Sequence, residues 1–110
     1  MTYATLKEIK AGSELIKKYS SIMRMWTLPV ILSIGRTDGI GFNKIKKDVP
    51  GINPTTLSLT LRQFEKYGLV ERTIIPSRPV RINYNITEKG MEFYDLALKL
   101  TEFIQDLDIS

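Results

Sequence analysis

Apolar residues recur along the first quarter of the chain at Leu6, Ile9, Leu15, Ile16, Tyr19, Ile22 and Met23, a helical rhythm broken near Gly12. Two readings of that break are open. Gly12 ends one helix while Ser13 caps the next with Glu14 in its first turn, or one continuous helix carries a costly glycine. Trp26 then leads into Thr27-Leu28-Pro29, where Thr27 is a candidate cap and Pro29 is tolerated in a first helical turn. Val30, Ile31, Leu32 and Ile34 predict a short helix, apolar on most sides, that Gly35 stops. Such a helix belongs in the middle of a small domain. The stretch 36–41 (RTDGIG) reads as a loop or tight turn.

From Phe42 onward the pattern becomes more diagnostic. Phe42, Ile45 and Val49 share one helical side, Asn43, Lys44, Lys46 and Lys47 the other, and Pro50-Gly51 ends the helix. Asn53 followed by Pro54 is a strong start signal for a second helix, with Leu57, Leu61 and Phe64 as its buried stripe and Gly68 as its stop. The run from Val70 to Ile75 predicts a strand. Its antiparallel partner alternates Val80, Ile82, Tyr84 and Ile86 with Arg81, Asn83 and Asn85. Pro76-Ser77-Arg78-Pro79 makes a stiff tip between them. Thr87 caps a last helix whose apolar set, from Met91 through Leu107, is too wide for a single stripe. In order, these elements write a winged helix-turn-helix: an α+β fold, mostly α, with a two-stranded β-hairpin wing and terminal helices. One domain of 110 residues is expected, comprising an N-terminal helical segment (1–25), a winged helix core (26–86) and a C-terminal helix (87–110) whose over-wide apolar face suits dimerisation.

Charge sharpens this picture. The net charge of +4 conceals +3 over residues 1–35, +5 over residues 36–86 and −4 over residues 87–110. A basic middle beside an acidic tail suggests one face turned towards a polyanion, although a solvated surface with chance clustering gives the same counts. The chain holds neither cysteine nor histidine, which removes disulfides, thiolate and imidazole metal sites and the usual nucleophile-base pairs. No metal, cofactor or enzymatic activity is expected. Lys7, Glu8 and Lys10 stand where an export signal needs an apolar run, and the stretch from Trp26 to Gly35 is too short to cross a bilayer, so a cytoplasmic protein is expected.

With Leu57, Leu61 and Phe64 turned inward, helical geometry sends Thr55, Thr56, Leu59, Arg62, Gln63 and Lys66 outward, with Ser58 at the flank. Arginine pairs with guanine, glutamine with adenine, and threonine or leucine meets the thymine methyl, while the helix start suits Thr55 and Thr56 to a phosphate, with Asn53 counted in the same DNA-binding set. In isolation an ordinary solvated face explains these residues as well. The flanks favour DNA: Asn43, Lys44, Lys46 and Lys47 on the preceding helix, and Arg72, Ser77, Arg78 and Arg81 on the hairpin, with Arg78 at its tip. Asn83 and Asn85 read as strand-edge polar residues, and Trp26 as a core anchor rather than a stacking platform for bases.

The residues that carry a family resemblance run from about Ser13 to Leu100. They are Trp26 with Pro29-Val30-Ile31-Leu32, Phe42-Asn43-Lys44-Ile45, Pro50-Gly51-Ile52, Thr56-Leu57-Ser58 with Leu61, Phe64 through Arg72, Pro79 through Tyr84, and Ile86-Thr87-Glu88-Lys89-Gly90. In joint order and spacing the chain resembles the HxlR-type winged helix-turn-helix transcriptional regulators, a group akin to MarR-like repressors. The resemblance implies a homodimer held by the terminal helices, which makes residues 1–25 an N-terminal dimerisation segment, and a pseudo-palindromic double-stranded DNA operator; it names no effector. Leu6, Ile9, Ile16, Phe93, Leu96, Leu100, Phe103 and Leu107 are the expected dimer contacts. Two features depart from the group. Many members carry a sensing cysteine upstream of the tryptophan, and this chain has Ser13-Glu14-Leu15 there, so thiol sensing cannot operate. Leu59-Thr60 also stands where a more basic pair is common. A weakly specific DNA-coating protein and a protein-interaction module are the rival functions.

Overall fold

The computed structural model describes residues 2–19 and 26–107; of the side chains in the first helix, those of Leu15, Ile16, Lys18 and Tyr19 fall outside that description, as do Ile22 and Met23. Helix α1 (Leu6–Tyr19) runs unbroken through Gly12, which settles the two readings in favour of one helix. Its start is a reciprocal cap that the sequence reading missed. The Glu8 amide donates to Thr5 Oγ1 at 3.1 Å and the Thr5 amide to Glu8 Oε1 at 3.0 Å, the reciprocal pattern of Thr-x-x-Glu.

Helix α2 (Thr27–Gly35) begins one residue earlier than expected: Trp26 stands at the cap position, and Thr27 is buried inside the first turn. The expected loop that follows contains a short strand, β1 (Ile40–Gly41), ahead of α3 (Phe42–Asp48) and α4 (Pro54–Lys66). Strands β2 (Val70–Ile75) and β3 (Arg81–Ile86) form the hairpin, and α5 (Glu88–Asp106) closes the described chain. The sheet is therefore three-stranded and antiparallel in the order β1-β3-β2, with Ile40 opposite Tyr84, Arg72 opposite Tyr84 and Ile74 opposite Ile82. This corrects the placing of Asn83 and Asn85. They lie half-buried on the central strand, and Asn85 Nδ2 donates to Thr73 Oγ1 at 3.3 Å. Val80 falls just outside β3 and is exposed.

The core gathers around α2. Val30, Ile31 and Ile34 pack with Ile45, Leu57, Leu61 and Phe64, all at most 1% exposed. The expectation that an all-apolar helix sits centrally therefore holds, and its physical reason is that α2 has no face to spare for water. Two glycines allow α5 to close on this core. A side chain at Gly35 would run into the Tyr94 ring, and one at Gly90 into the Leu69 carbonyl. Thr87 pins the same junction, accepting from the Gly90 amide at 3.0 Å while its hydroxyl donates to the Gly68 carbonyl at 2.6 Å. Phe93, expected at a dimer contact, instead turns inward: it is half-buried and meets Phe64 edge-on, with centroids 6.2 Å apart. An aromatic on the inner side of α5 fills the space beside the α4 stripe, and periodicity alone could not separate the two sides of so wide an apolar set.

Candidate nucleic-acid interface

Helix α4 is fixed at both ends by its own sequence. Asn53 Oδ1 accepts from the Thr56 amide at 2.7 Å and Pro54 occupies the first helical position. At the other end the Gly68 amide donates to the Glu65 carbonyl and the Leu69 amide to the Phe64 carbonyl. This closure needs the left-handed backbone (φ +71°) that Gly68 supplies. Between these caps the inward stripe is complete: Leu57 is 0%, Leu61 1% and Phe64 1% exposed.

The opposite face is uncovered. Thr55, Ser58, Leu59, Arg62 and Lys66 are exposed, Leu59 at 52%, and Lys66 Nζ lies 6.0 Å from the Tyr67 ring centroid. Two residues expected on this face sit differently. Thr56 is half-buried and its carbonyl accepts from the Thr60 hydroxyl at 2.8 Å. Gln63 is also half-buried, and its Oε1 is enclosed with no hydrogen-bond partner among the described residues. At about 100° per residue, positions 62 and 63 lie almost equally far from the stripe on opposite sides of the helix, and only the side of position 63 is partly covered. The amide is therefore turned partly towards the protein, and the outward row consists of Thr55, Leu59, Arg62 and Lys66.

On α3, Asn43, Lys44, Lys46 and Lys47 are all exposed and line an open depression of about 520 Å³. They are not equivalent. Lys44 Nζ is 2.8 Å from Asp48 Oδ1, and Asp48 Oδ2 accepts from the buried Ser33 hydroxyl of α2 at 2.9 Å. The Lys44 ammonium, then the Ser33 hydroxyl, hold the Asp48 carboxyl below its ordinary value. Sequence reasoning missed this clamp, although the Lys44/Asp48 spacing of four on one helix was a legible signal.

The wing separates residues that the sequence reading had grouped. Ser77 Oγ donates to the Pro79 carbonyl at 2.7 Å across the tip, where the Arg78-Pro79 peptide bond is cis, and Arg78 is exposed. Arg72 pairs across the hairpin with Tyr84, whereas Arg81 pairs with Ile75. Side chains alternate along a strand, so Arg72 and Arg81 point to opposite faces and do not converge on one target.

Away from this surface, α1 and α5 expose apolar side chains. Leu6, Ile9, Leu96, Leu100, Phe103 and Leu107 are exposed as expected, and Ile104 joins them. An apolar groove of about 530 Å³ lies between α2 and the end of α5, lined chiefly by Trp26, Leu28, Leu32 and Ile104. Among the described residues no group of acidic side chains could hold a metal ion, and no helix is long and apolar enough to cross a membrane.

This arrangement can be set beside known proteins. The sequence model of the HxlR-like helix-turn-helix matches residues 21–108. The chain belongs to the HxlR-like helix-turn-helix family. Its HxlR-like sequence is 41% identical over 49 residues to the uncharacterized HTH-type transcriptional regulator YvaP of Bacillus subtilis, covering 44% of this chain and 45% of that protein. It is 31% identical to a structure from Thermoplasma volcanium described as a possible HxlR family transcriptional factor. The superposition covers 83% of this chain and 81% of that one, with a TM-score of 0.67. A MarR-family structure from Porphyromonas gingivalis W83 shares the fold over 100% of both chains, at 21% identity and a TM-score of 0.72. The chain spans a little under half the length of the first curated relatives it matches.

Proposed function

We propose that this HxlR-like chain is a sequence-specific transcriptional regulator that binds double-stranded DNA as a homodimer. Helix α4 enters the major groove, with Arg62 as its base reader and Thr55 and Leu59 beside it. Lys46 and Lys47 of α3 and Arg78 of the wing meet phosphates on either side. The observation that carries this reading is the uncovered outer face of α4, held rigidly by caps at both ends and by a fully buried stripe. The basic charge of residues 36–86 supports it.

The dimer is part of the same reading. Every described side chain of α1 is exposed, and a lone helix of 14 residues carrying a glycine is marginal in water. A second copy offers α1 a partner in the exposed apolar row of α5 at Leu96, Leu100, Phe103 and Leu107, whose 4-3-4 spacing suits helix-against-helix packing. Charge agrees: α1 carries four lysines against two glutamates, while α5 carries five carboxylates against two lysines. Two-fold symmetry then presents two copies of α4 to half-sites about 34 Å apart.

Selection of duplexes from a random pool tests the proposal, followed by affinity for the selected site against random duplex at fixed salt. A regulator gives a ratio on the order of 10³ or more. A ratio near unity identifies a DNA-coating protein instead, and no duplex binding at low salt identifies a protein-interaction module. Within the DNA-binding reading, Arg62→Ala alters preference between sequences by about 1–3 kcal/mol. Arg78→Ala weakens all duplexes alike and flattens the logarithmic salt dependence by about one unit.

A further inference from the structure

Three lysines on one short helix invite the assumption that all three serve the same polyanion. The contacts around Asp48 argue otherwise. Both of its carboxylate oxygens are occupied, one by Lys44 Nζ at 2.8 Å and the other by the Ser33 hydroxyl at 2.9 Å. The Asp48 side chain is only 13% exposed and Ser33 only 4%, so this carboxylate is fixed between α2 and α3 rather than free in solvent. Lys44 is its partner on the solvent side. Lys44 itself is 60% exposed, so only the carboxylate end of the pair is covered. To reach a phosphate, Lys44 would have to give up the one cation contact on a carboxylate that is largely covered, with only the longer-range field of Arg36 left to it. Lys46 and Lys47 have no ion pair among the described residues and face water.

We infer that Asp48 withholds Lys44 from DNA, so that α3 engages the phosphate backbone through Lys46 and Lys47 alone. This rests on the DNA-binding reading above and assigns Asp48 a role in setting how many phosphates the protein neutralises. Each phosphate neutralised by a lysine releases condensed counterion, so the logarithmic salt dependence of binding counts the cations that reach DNA. A lysine that keeps its carboxylate partner is silent in that count.

The experiment measures affinity for one duplex between 50 and 200 mM salt, for the full chain and four variants. Asp48→Asn keeps the size of the side chain and an oxygen for Ser33 but removes the charge that holds Lys44. It is expected to steepen the slope by about 0.9 unit, a roughly three- to fourfold greater loss of affinity across that salt range. Adding Lys44→Ala to Asp48→Asn returns the slope to that of the unaltered protein. Lys44→Ala alone leaves the slope unchanged, whereas Lys46→Ala flattens it by about 0.9 unit. The Lys44→Ala and Lys46→Ala comparison does not depend on Asp48→Asn folding well. An unchanged slope in folded Asp48→Asn overturns the inference, and so does equal flattening by Lys44→Ala and Lys46→Ala. A steeper slope that persists in the double variant also overturns it, since the effect would then be the carboxylate's own repulsion of phosphate. Failure of the unaltered protein to bind any duplex sinks the DNA-binding reading as well, which the variant outcomes do not.

Discussion

Replacing glycine by alanine inside a helix ordinarily stabilises it, by about 0.8–1 kcal/mol, because alanine has less backbone freedom to lose on folding. Gly90 in the first turn of α5 should reverse that sign. A Cβ there would overlap the Leu69 carbonyl oxygen and crowd the Ile86 side chain at 2.7 Å. The obstacle is backbone, and it cannot swing aside. The Leu69 carbonyl accepts from the Thr87 amide at 3.1 Å, and the Thr87 hydroxyl binds both the Gly68 carbonyl and the Gly90 amide. Relief therefore means lifting α5 away from the end of α4 and breaking part of that junction. Overpacking costs about 1–3 kcal/mol, occasionally more, and an overlap with fixed backbone belongs to the upper half of that range, which outweighs the propensity gain. Gly90→Ala is expected to lower unfolding stability by roughly 1–2 kcal/mol in urea titrations at fixed protein concentration. Gly12→Ala is the matched control: a Cβ at Gly12 in α1 meets nothing within 4 Å, so helicity by circular dichroism should rise and stability should not fall. A Gly90→Ala protein as stable as the unaltered one, or more so, would refute the claim that close backbone approach fixes α5 on the winged helix core.

Three further outcomes follow from other contacts. Asn53→Ala leaves the Thr56 amide uncapped and should cost about 1 kcal/mol in denaturant unfolding, with Asn53→Asp costing much less. The Asp48 carboxyl is held below its ordinary value of 3.8, chiefly by Lys44, so its contribution is present above that pH and lost as pH falls through the lower folded value. In acid titrations the stability gap between the unaltered protein and Asp48→Asn should accordingly narrow below pH 3.8, and a gap constant across that range would count against the pair. Phe103→Glu places a charge in the proposed α5 interface and should weaken dimerisation by at least about 2 kcal/mol, read as a shift towards monomer in sedimentation. An unshifted dimer would locate the interface elsewhere.

Much of the architecture was legible because the relevant signals are local. Asn53-Pro54 starts α4 and Gly68 stops it, through bonds that span no more than five residues. The alternation at Ile82, Tyr84 and Ile86 likewise needs only the pleat of one strand. Features that depend on a distant partner were not legible. β1 is two residues long, too short to carry a period, and exists because Ile40 and Gly41 find the free edge of β3. Phe93 and Leu96 look alike in the sequence, yet one meets Phe64 and the other meets water.

The candidate site divides in the same way. Sequence alone determined that a capped, amphipathic α4 would turn Leu57, Leu61 and Phe64 inward, because 3.6 residues per turn puts them on one side; of the six residues it sent outward, Thr55, Leu59, Arg62 and Lys66 are exposed, whereas Thr56 and Gln63 are half-buried. Tertiary structure decided how free each basic and polar side chain is. Lys44 is tied to Asp48, which is fixed in turn by Ser33 fifteen residues earlier; Gln63 is half enclosed, and Arg72 and Arg81 face opposite ways. The pattern of one element tells which way a residue points, but what waits there is supplied by chain far away in sequence, brought close only by burial of the common core.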